Sequence, residues 1–341
     1  MQEMAGLSGQ ATVCANCAAS LGGEYCAQCG ERRLHPDEHT LRHIVGEWFE
    51  AFSHGEGRLL VSLRTLLLKP GELTREYFRG RRVPYARPVA LFFAVNLLYF
   101  LLTTLNTFST ALETQMSVSP LQQTKQMLVL DKALGPQVSA TEKAEVMADY
   151  WALYGSERAA VVAGRAASAA ERKADEEKGV AASRHPAALE AVYRYQERFD
   201  ERTETLSRAL VVALVPMLAC LLWLTLAPLR RGLPELLIFA THLWSGLLLI
   251  LLLFGWLVTG ATRVSQWLLD GRIPAILQSD SYASMALAVL VAIYVYRALR
   301  AYLCYPRIGC AILSAWMLAG LFWLLQLYRL LLFFVTVYAL H

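Results

Sequence analysis

PELLIFATHLWSGLLLILLLFGWLVTG, residues 234–260, carries a single charged side chain, Glu235, near its start. A helix rises about 1.5 Å per residue, so about twenty apolar residues cross a hydrocarbon core of about 30 Å. A surface helix of a soluble protein would show a polar stripe every three to four residues. This stretch shows none. In lipid the backbone must satisfy its own hydrogen bonds, which a helix does. The stretch is therefore read as a membrane-crossing helix.

Blocks of the same kind recur. Residues 89–105 follow Pro88, with Asn96 as their one strongly polar residue. Residues 206–229 contain Pro216, a source of a kink because proline has no N–H to donate. Two further blocks are 281–303 and 308–338. The last is about 50 Å long as a helix, more than a bilayer needs, so it must tilt, break or lie partly in the interface. The whole chain is 56% hydrophobic and 18% charged, with a mean hydropathy of +0.37. Soluble domains average about 45–50% apolar and about 25% charged. The expected fold class is an α-helical integral membrane protein. It would have about five transmembrane helices, a short N-terminal zinc ribbon and a helical extracytoplasmic insert.

The polar stretches define the remaining domains. Residues 1–30 hold the ribbon, and 31–88 are expected to form cytoplasmic or interfacial amphipathic helices. In Leu59–Leu68 the apolar positions fall at helical spacing, and Pro70-Gly71 ends the pattern. A short helix over 72–79 is stopped by Gly80. Residues 106–205 are hydrophilic and become rich in Ala, Glu, Lys and Arg, a composition that favours helices. The first thirty residues lack an apolar leader core, so no cleaved signal is expected.

Lys and Arg accumulate on cytoplasmic flanks. Arg75, Arg79, Arg81, Arg82 and Arg87 precede the first span, Arg230 and Arg231 lie between the second and third, and Arg297, Arg300 and Arg307 between the fourth and fifth. With five spans these clusters share one side. The expected location is the bacterial inner membrane, N-terminus cytoplasmic, C-terminus extracytoplasmic, with 106–205 outside.

The segment CANCAASLGGEYCAQCG, residues 14–30, contains two CxxC pairs. In a reducing cytosol such pairs hold metal rather than disulfides. Cys14, Cys17, Cys26 and Cys29 can supply four thiolates to a tetrahedral Zn²⁺. A closed site has no open position for substrate, so the expected role is structural. His35, His39 and His43 follow at i, i+4 spacing and read as a solvated face, with a second metal face as the alternative. Cys220, Cys304 and Cys310 are isolated and read as small packing residues.

The ribbon, the frame PG-x(5)-Y-x(2)-G-x-R-x(2)-Y-x(2)-P on Pro70, Gly71, Tyr77, Gly80, Arg82, Tyr85 and Pro88, and ELLIFATHLWS in a later span together resemble a family of uncharacterised bacterial membrane proteins. That family is known as a domain of unknown function with an N-terminal zinc ribbon. The resemblance implies a membrane fold and no particular activity. The 106–205 insert lies outside it.

Tyr77, Arg79, Arg81, Arg82, Tyr85 and Arg87 alternate aromatic and cationic character. Such a segment suits the headgroup level, where anionic lipids attract each cation by about 1 kcal/mol. It reads first as a topology anchor, with a dedicated lipid or partner interface as the alternative. Nucleic acid is not expected. Asn96, His242 and Arg329 are candidate intramembrane polar sites, since such residues are costly in lipid. No nucleophile–base pair is evident. The expected function is a non-enzymatic envelope or lipid-handling scaffold with a cytoplasmic zinc-ribbon docking face, homo-oligomeric or not. The alternatives are a transporter acting as an oligomer and, last, an intramembrane enzyme.

Overall fold

The computed structural model describes residues 13–31, 56–103, 107–117, 121–162, 183–226, 232–269, 274, 280–303 and 306–340. Arg230, Arg231, His35, His39, His43 and Cys304 lie outside the described residues. The chain divides into two compact units. One comprises residues 1–105 and 212–326, the other 106–211 and 327–341. Among the described residues the structure is helical, apart from one isolated bridge in the cysteine segment.

The first unit contains α1 (Glu56–Leu68), α2 (Glu72–Phe78), α3 (Pro88–Leu102), α8 (Leu214–Leu226), α9 (Leu233–Leu268), α10 (Asp280–Leu303) and the first part of α11 (Arg307–Ala339). The quoted stretch 234–260 forms most of α9, and α9 is the central helix. Of its most apolar stretch, 83% is buried within the protein, against 39%, 22% and 28% for the other three helices long and apolar enough to cross a membrane. The protein is a helical membrane protein, as its composition requires. Helix α3 is apolar but only fifteen residues long, about 22 Å, so it falls short of the full hydrocarbon thickness. Proline opens it at the first helical turn, where no N–H is missed. The last apolar block forms one unbroken helix, α11. Pro216 lies just beyond a 3-10 turn at Val211–Ala213. A proline there cannot donate to the Val212 carbonyl, which lies in that 3-10 turn.

Helices α1 and α2 each pack one face on the bundle, while Leu60, Val61 and Leu68 of α1 stay exposed. Leu66 and Leu73 are each 2% exposed. The two helices are joined by a Lys69-Pro70-Gly71 turn and pack on α9 and α10. Gly71 has φ +84, and a Cβ there would run into the Ala298 carbonyl and the Ala301 side chain of α10. Helix α2 ends in a two-bond C-cap: the Gly80 N–H reaches the Tyr77 carbonyl at 3.1 Å and the Arg81 N–H the Glu76 carbonyl at 3.0 Å. Gly80 takes the left-handed conformation this cap demands, φ +78.

The second unit contains α4 (Leu112–Ser117), α5 (Gln122–Leu134), α6 (Ala140–Val162), α7 (Pro186–Leu210) and the end of α11. Leu112, Met116, Val146, Tyr150, Phe199 and Phe333 are fully buried in one core. Helix α11 is therefore longer than a bilayer needs for a plain reason. Its last turns belong to this core, where Tyr328 Oη donates to the Ser207 carbonyl at 3.0 Å and Thr203 Oγ1 to Thr336 Oγ1 at 3.3 Å. Lys125 is buried over the Phe333 ring, and burial pushes its ammonium down to about 8.

Candidate metal centre and the helical hairpin beneath it

Each CxxC pair of the segment 13–31 folds into the same turn. The Cys14 N–H donates to the Ala19 carbonyl at 2.8 Å and the Ala18 N–H to the Cys14 carbonyl at 2.9 Å. Twelve residues on, the Cys26 N–H donates to the Glu31 carbonyl at 2.8 Å and the Gly30 N–H to the Cys26 carbonyl at 2.9 Å. The residue closing each turn is left-handed, Ala18 at φ 60 and Gly30 at φ 72. The signal was in the sequence as a short repeat, CANCAA and CAQCGE. A bridge between Val13 and Ser20 ties the first turn together.

The four sulfurs lie within 4.8 Å of one another. Cys14 and Cys29 are 3.6 Å apart, and Cys17 and Cys26 3.5 Å. A disulfide requires about 2.05 Å. A tetrahedron with metal–sulfur bonds of about 2.3 Å has edges of about 3.8 Å. The set therefore fits a tetrahedral metal ion. Cys14 and Cys26 are buried, Cys17 is exposed and Cys29 half-buried. The Asn16 side chain, then the Glu31 backbone N–H, hold the Cys29 thiol down to about 6. For Cys17 the backbone bond to Ala19 lowers the thiol, but the Cys29 sulfur, desolvation and the Cys26 and Cys14 sulfurs together push it up to about 12.

Glu31, next to the second turn, was missed by sequence reasoning. It is 5% exposed, and its Oε2 accepts from the backbone N–H groups of Arg82 at 2.8 Å and Val83 at 3.0 Å. One carboxylate oxygen thus fastens the cysteine knuckle to the loop between α2 and α3. A lone Glu at a ribbon's edge carries no such signal, because its partners are backbone atoms fifty residues away.

The basic-aromatic segment is already engaged within the protein. Arg79 and Arg81 reach the two oxygens of Glu76 at 3.0 and 3.3 Å. The Arg82 guanidinium lies 4.3 Å over the Tyr77 ring, and its Nε donates to the Tyr77 carbonyl. Tyr77 is buried against Ile238 of α9. Tyr85 is half-buried, and burial pushes its phenol up. Arg87 is exposed at the start of α3. Glu76, buried in α2, thus pairs with two of these arginines, whose side chains remain about half exposed.

Of the intramembrane candidates, Asn96 and His242 lie in the first unit and Arg329 in the second. His242 is 3% exposed on α9, and its Nδ1 shares a 2.9 Å hydrogen bond with Thr74 Oγ1 of α2. Among the described residues its Nε2 has no partner. Asn96 is buried in α3. Arg329 is half-buried on the part of α11 that belongs to the second unit. Glu235, the one charge in the quoted stretch, accepts from Tyr302 Oη of α10 at 2.6 Å.

Residues 56–100 match the model of a family described as a protein of unknown function (DUF3667). The match begins with α1 and ends two residues short of the end of α3, so it coincides with the hairpin, its basic loop and the short apolar helix. No curated protein and no solved structure matches the chain.

Proposed function

We propose that this chain is a non-enzymatic scaffold of the bacterial inner membrane that handles lipid and presents a zinc-loaded knuckle as a cytoplasmic docking face. The N-terminus lies in the cytoplasm and the C-terminus outside. Cys14, Cys17, Cys26 and Cys29 hold zinc through four thiolates. Bound there, zinc supplies folding energy to a segment too small for a hydrophobic core of its own. The carrying observation is the Glu31 carboxylate on the Arg82 and Val83 N–H groups. It makes the knuckle a fixture of the hairpin rather than a tethered module. The Arg79–Arg87 loop beside it supplies the surface that meets a partner or anionic headgroups.

The test is metal analysis and native-membrane co-purification of the full chain. About one zinc per chain is expected, and none in Cys26→Ser/Cys29→Ser. The double variant is also expected to lose the proteins or lipids that co-purify with the wild type. A metal-free wild type, or a reporter placing residues 14–30 outside the cell, sinks the reading.

A further inference from the structure

Two recesses meet at the tip of the α1–α2 hairpin, and both are lined by Pro70 and Arg297. One, of about 290 Å³, is apolar and is walled by Leu67, Ile250, Leu253, Leu257, Leu290 and Ile293. The other, of about 340 Å³, is lined by Lys69, Arg297 and Arg300, with Tyr296 and a single acid, Glu72. Arg75 takes the Glu72 carboxylate, leaving the recess with a net positive charge. We propose that this double recess binds one acyl lipid with an anionic phosphate headgroup. The phosphate sits among Lys69, Arg297 and Arg300, and a chain lies along α9 and α10.

Three features make the recess a constructed one. Gly71 admits no side chain against Ala298 and Ala301, so the turn is pressed onto α10 and Lys69 is held beside the arginines. Arg297 donates to the Leu68 carbonyl at 3.2 Å, which fixes its guanidinium at the junction of the two recesses. Tyr294 Oη donates to the Leu66 carbonyl at 3.1 Å, closing the wall behind it. Charge and greasiness are thus joined end to end on one surface, the pattern of an amphiphile. Lys69, Arg297 and Arg300 are exposed, and so are Leu253, Leu257, Leu290 and Ile293. A zwitterionic headgroup offers the cations no net charge. A free phosphate leaves the apolar wall uncovered.

The proposal rests on the lipid-handling part of the function given above. The full chain in detergent is titrated with phosphatidylglycerol, or with phosphatidylcholine of the same chains, and bound lipid is read by native mass spectrometry. Wild type is expected to retain phosphatidylglycerol preferentially. Arg300→Gln should weaken retention about fivefold and Arg297→Gln/Arg300→Gln about thirtyfold, the loss of one and two headgroup contacts. Arg297→Lys should retain most of it. Leu290→Trp, on an exposed position, fills the apolar recess without touching the core and should also displace the lipid. Millimolar inorganic phosphate should not compete. Equal retention of the two lipids, displacement by phosphate alone, or failure of Leu290→Trp to matter overturns the site. If every variant holds phosphatidylglycerol as tightly as wild type, lipid binds elsewhere: this site falls and the lipid-handling function stands. If wild type retains no lipid, both fall.

Discussion

Helix α9 has two halves with opposite surroundings. From Leu236 to Ile250 nearly every side chain is buried within the protein. From Leu253 to Leu268 the exposed residues include Leu253, Trp256, Leu257, Val264, Trp267 and Leu268. The covered half carries Thr241, His242, Ser245 and Gly246 among its leucines. The bare half carries more small and hydroxyl residues, Gly255, Thr259, Gly260, Ala261, Thr262 and Ser265, so composition does not decide which half is covered. What separates the halves is which helices pack on them. Helices α3 and α8 supply most of the packing on α9, and α1 and α2 add to it as a hairpin with its tip at Gly71.

Gly246 gives the largest test of this contrast. A Cβ there would collide with the Tyr294 phenol. Gly246→Ala should destabilise the first unit by about 2 kcal/mol, read as a lowered thermal midpoint in detergent. Tyr294→Phe in the same chain should recover part of that loss, since it removes the colliding hydroxyl. Next comes the polar tie of the hairpin. Thr74→Val removes the Nδ1 partner of His242, whose Nε2 has none among the described residues, and should cost about 1–2 kcal/mol, with faster hydrogen exchange in α2. Glu31→Gln removes the charge that accepts the Arg82 and Val83 N–H groups. About 1 kcal/mol is expected, seen as faster exchange at 82–83 with the metal content unchanged. The smallest effect belongs to the bare half. Leu257→Ala, at 69% exposure, should move the midpoint by less than about 0.5 kcal/mol. A large loss there would mean that a second copy of the chain covers this face.

The knuckle extends the contrast into the cysteine segment. Its two turns are near copies, yet one closes on Ala18 and the other on Gly30, both left-handed. Alanine in that conformation is disfavoured where glycine is not. Ala18→Gly should therefore stabilise the metal-bound knuckle by roughly 0.5–1 kcal/mol, measured as tighter metal retention against a chelator. An unchanged affinity would show that the first turn relaxes once the thiolates are engaged.

Legibility followed the range of the interaction. The CxxC turns, the stop at Gly80 and the break at Pro70-Gly71 are set by residues a few positions apart, and each is where its local pattern puts it. In the basic segment, Glu76 pairs with Arg79 one helical turn on, and Arg82 folds back over Tyr77. Those are pairings of geometry, invisible to a count of charges. Likewise the amphipathic pattern of Leu59–Leu68 shows that a helix has one apolar face, but not whether lipid or protein will meet it.

The residues alone determined that this chain enters a bilayer as helices and gathers four thiols at one end, because span length and turn chemistry are local requirements. Which half of α9 faces protein, where Glu31 anchors the knuckle, and how Lys69 comes to stand beside Arg297 were decided only by tertiary packing. Hydrophobicity measures how strongly a side chain avoids water. It does not distinguish a neighbouring helix from a lipid tail, and that choice is made by the shapes and hydrogen bonds of residues far apart in sequence.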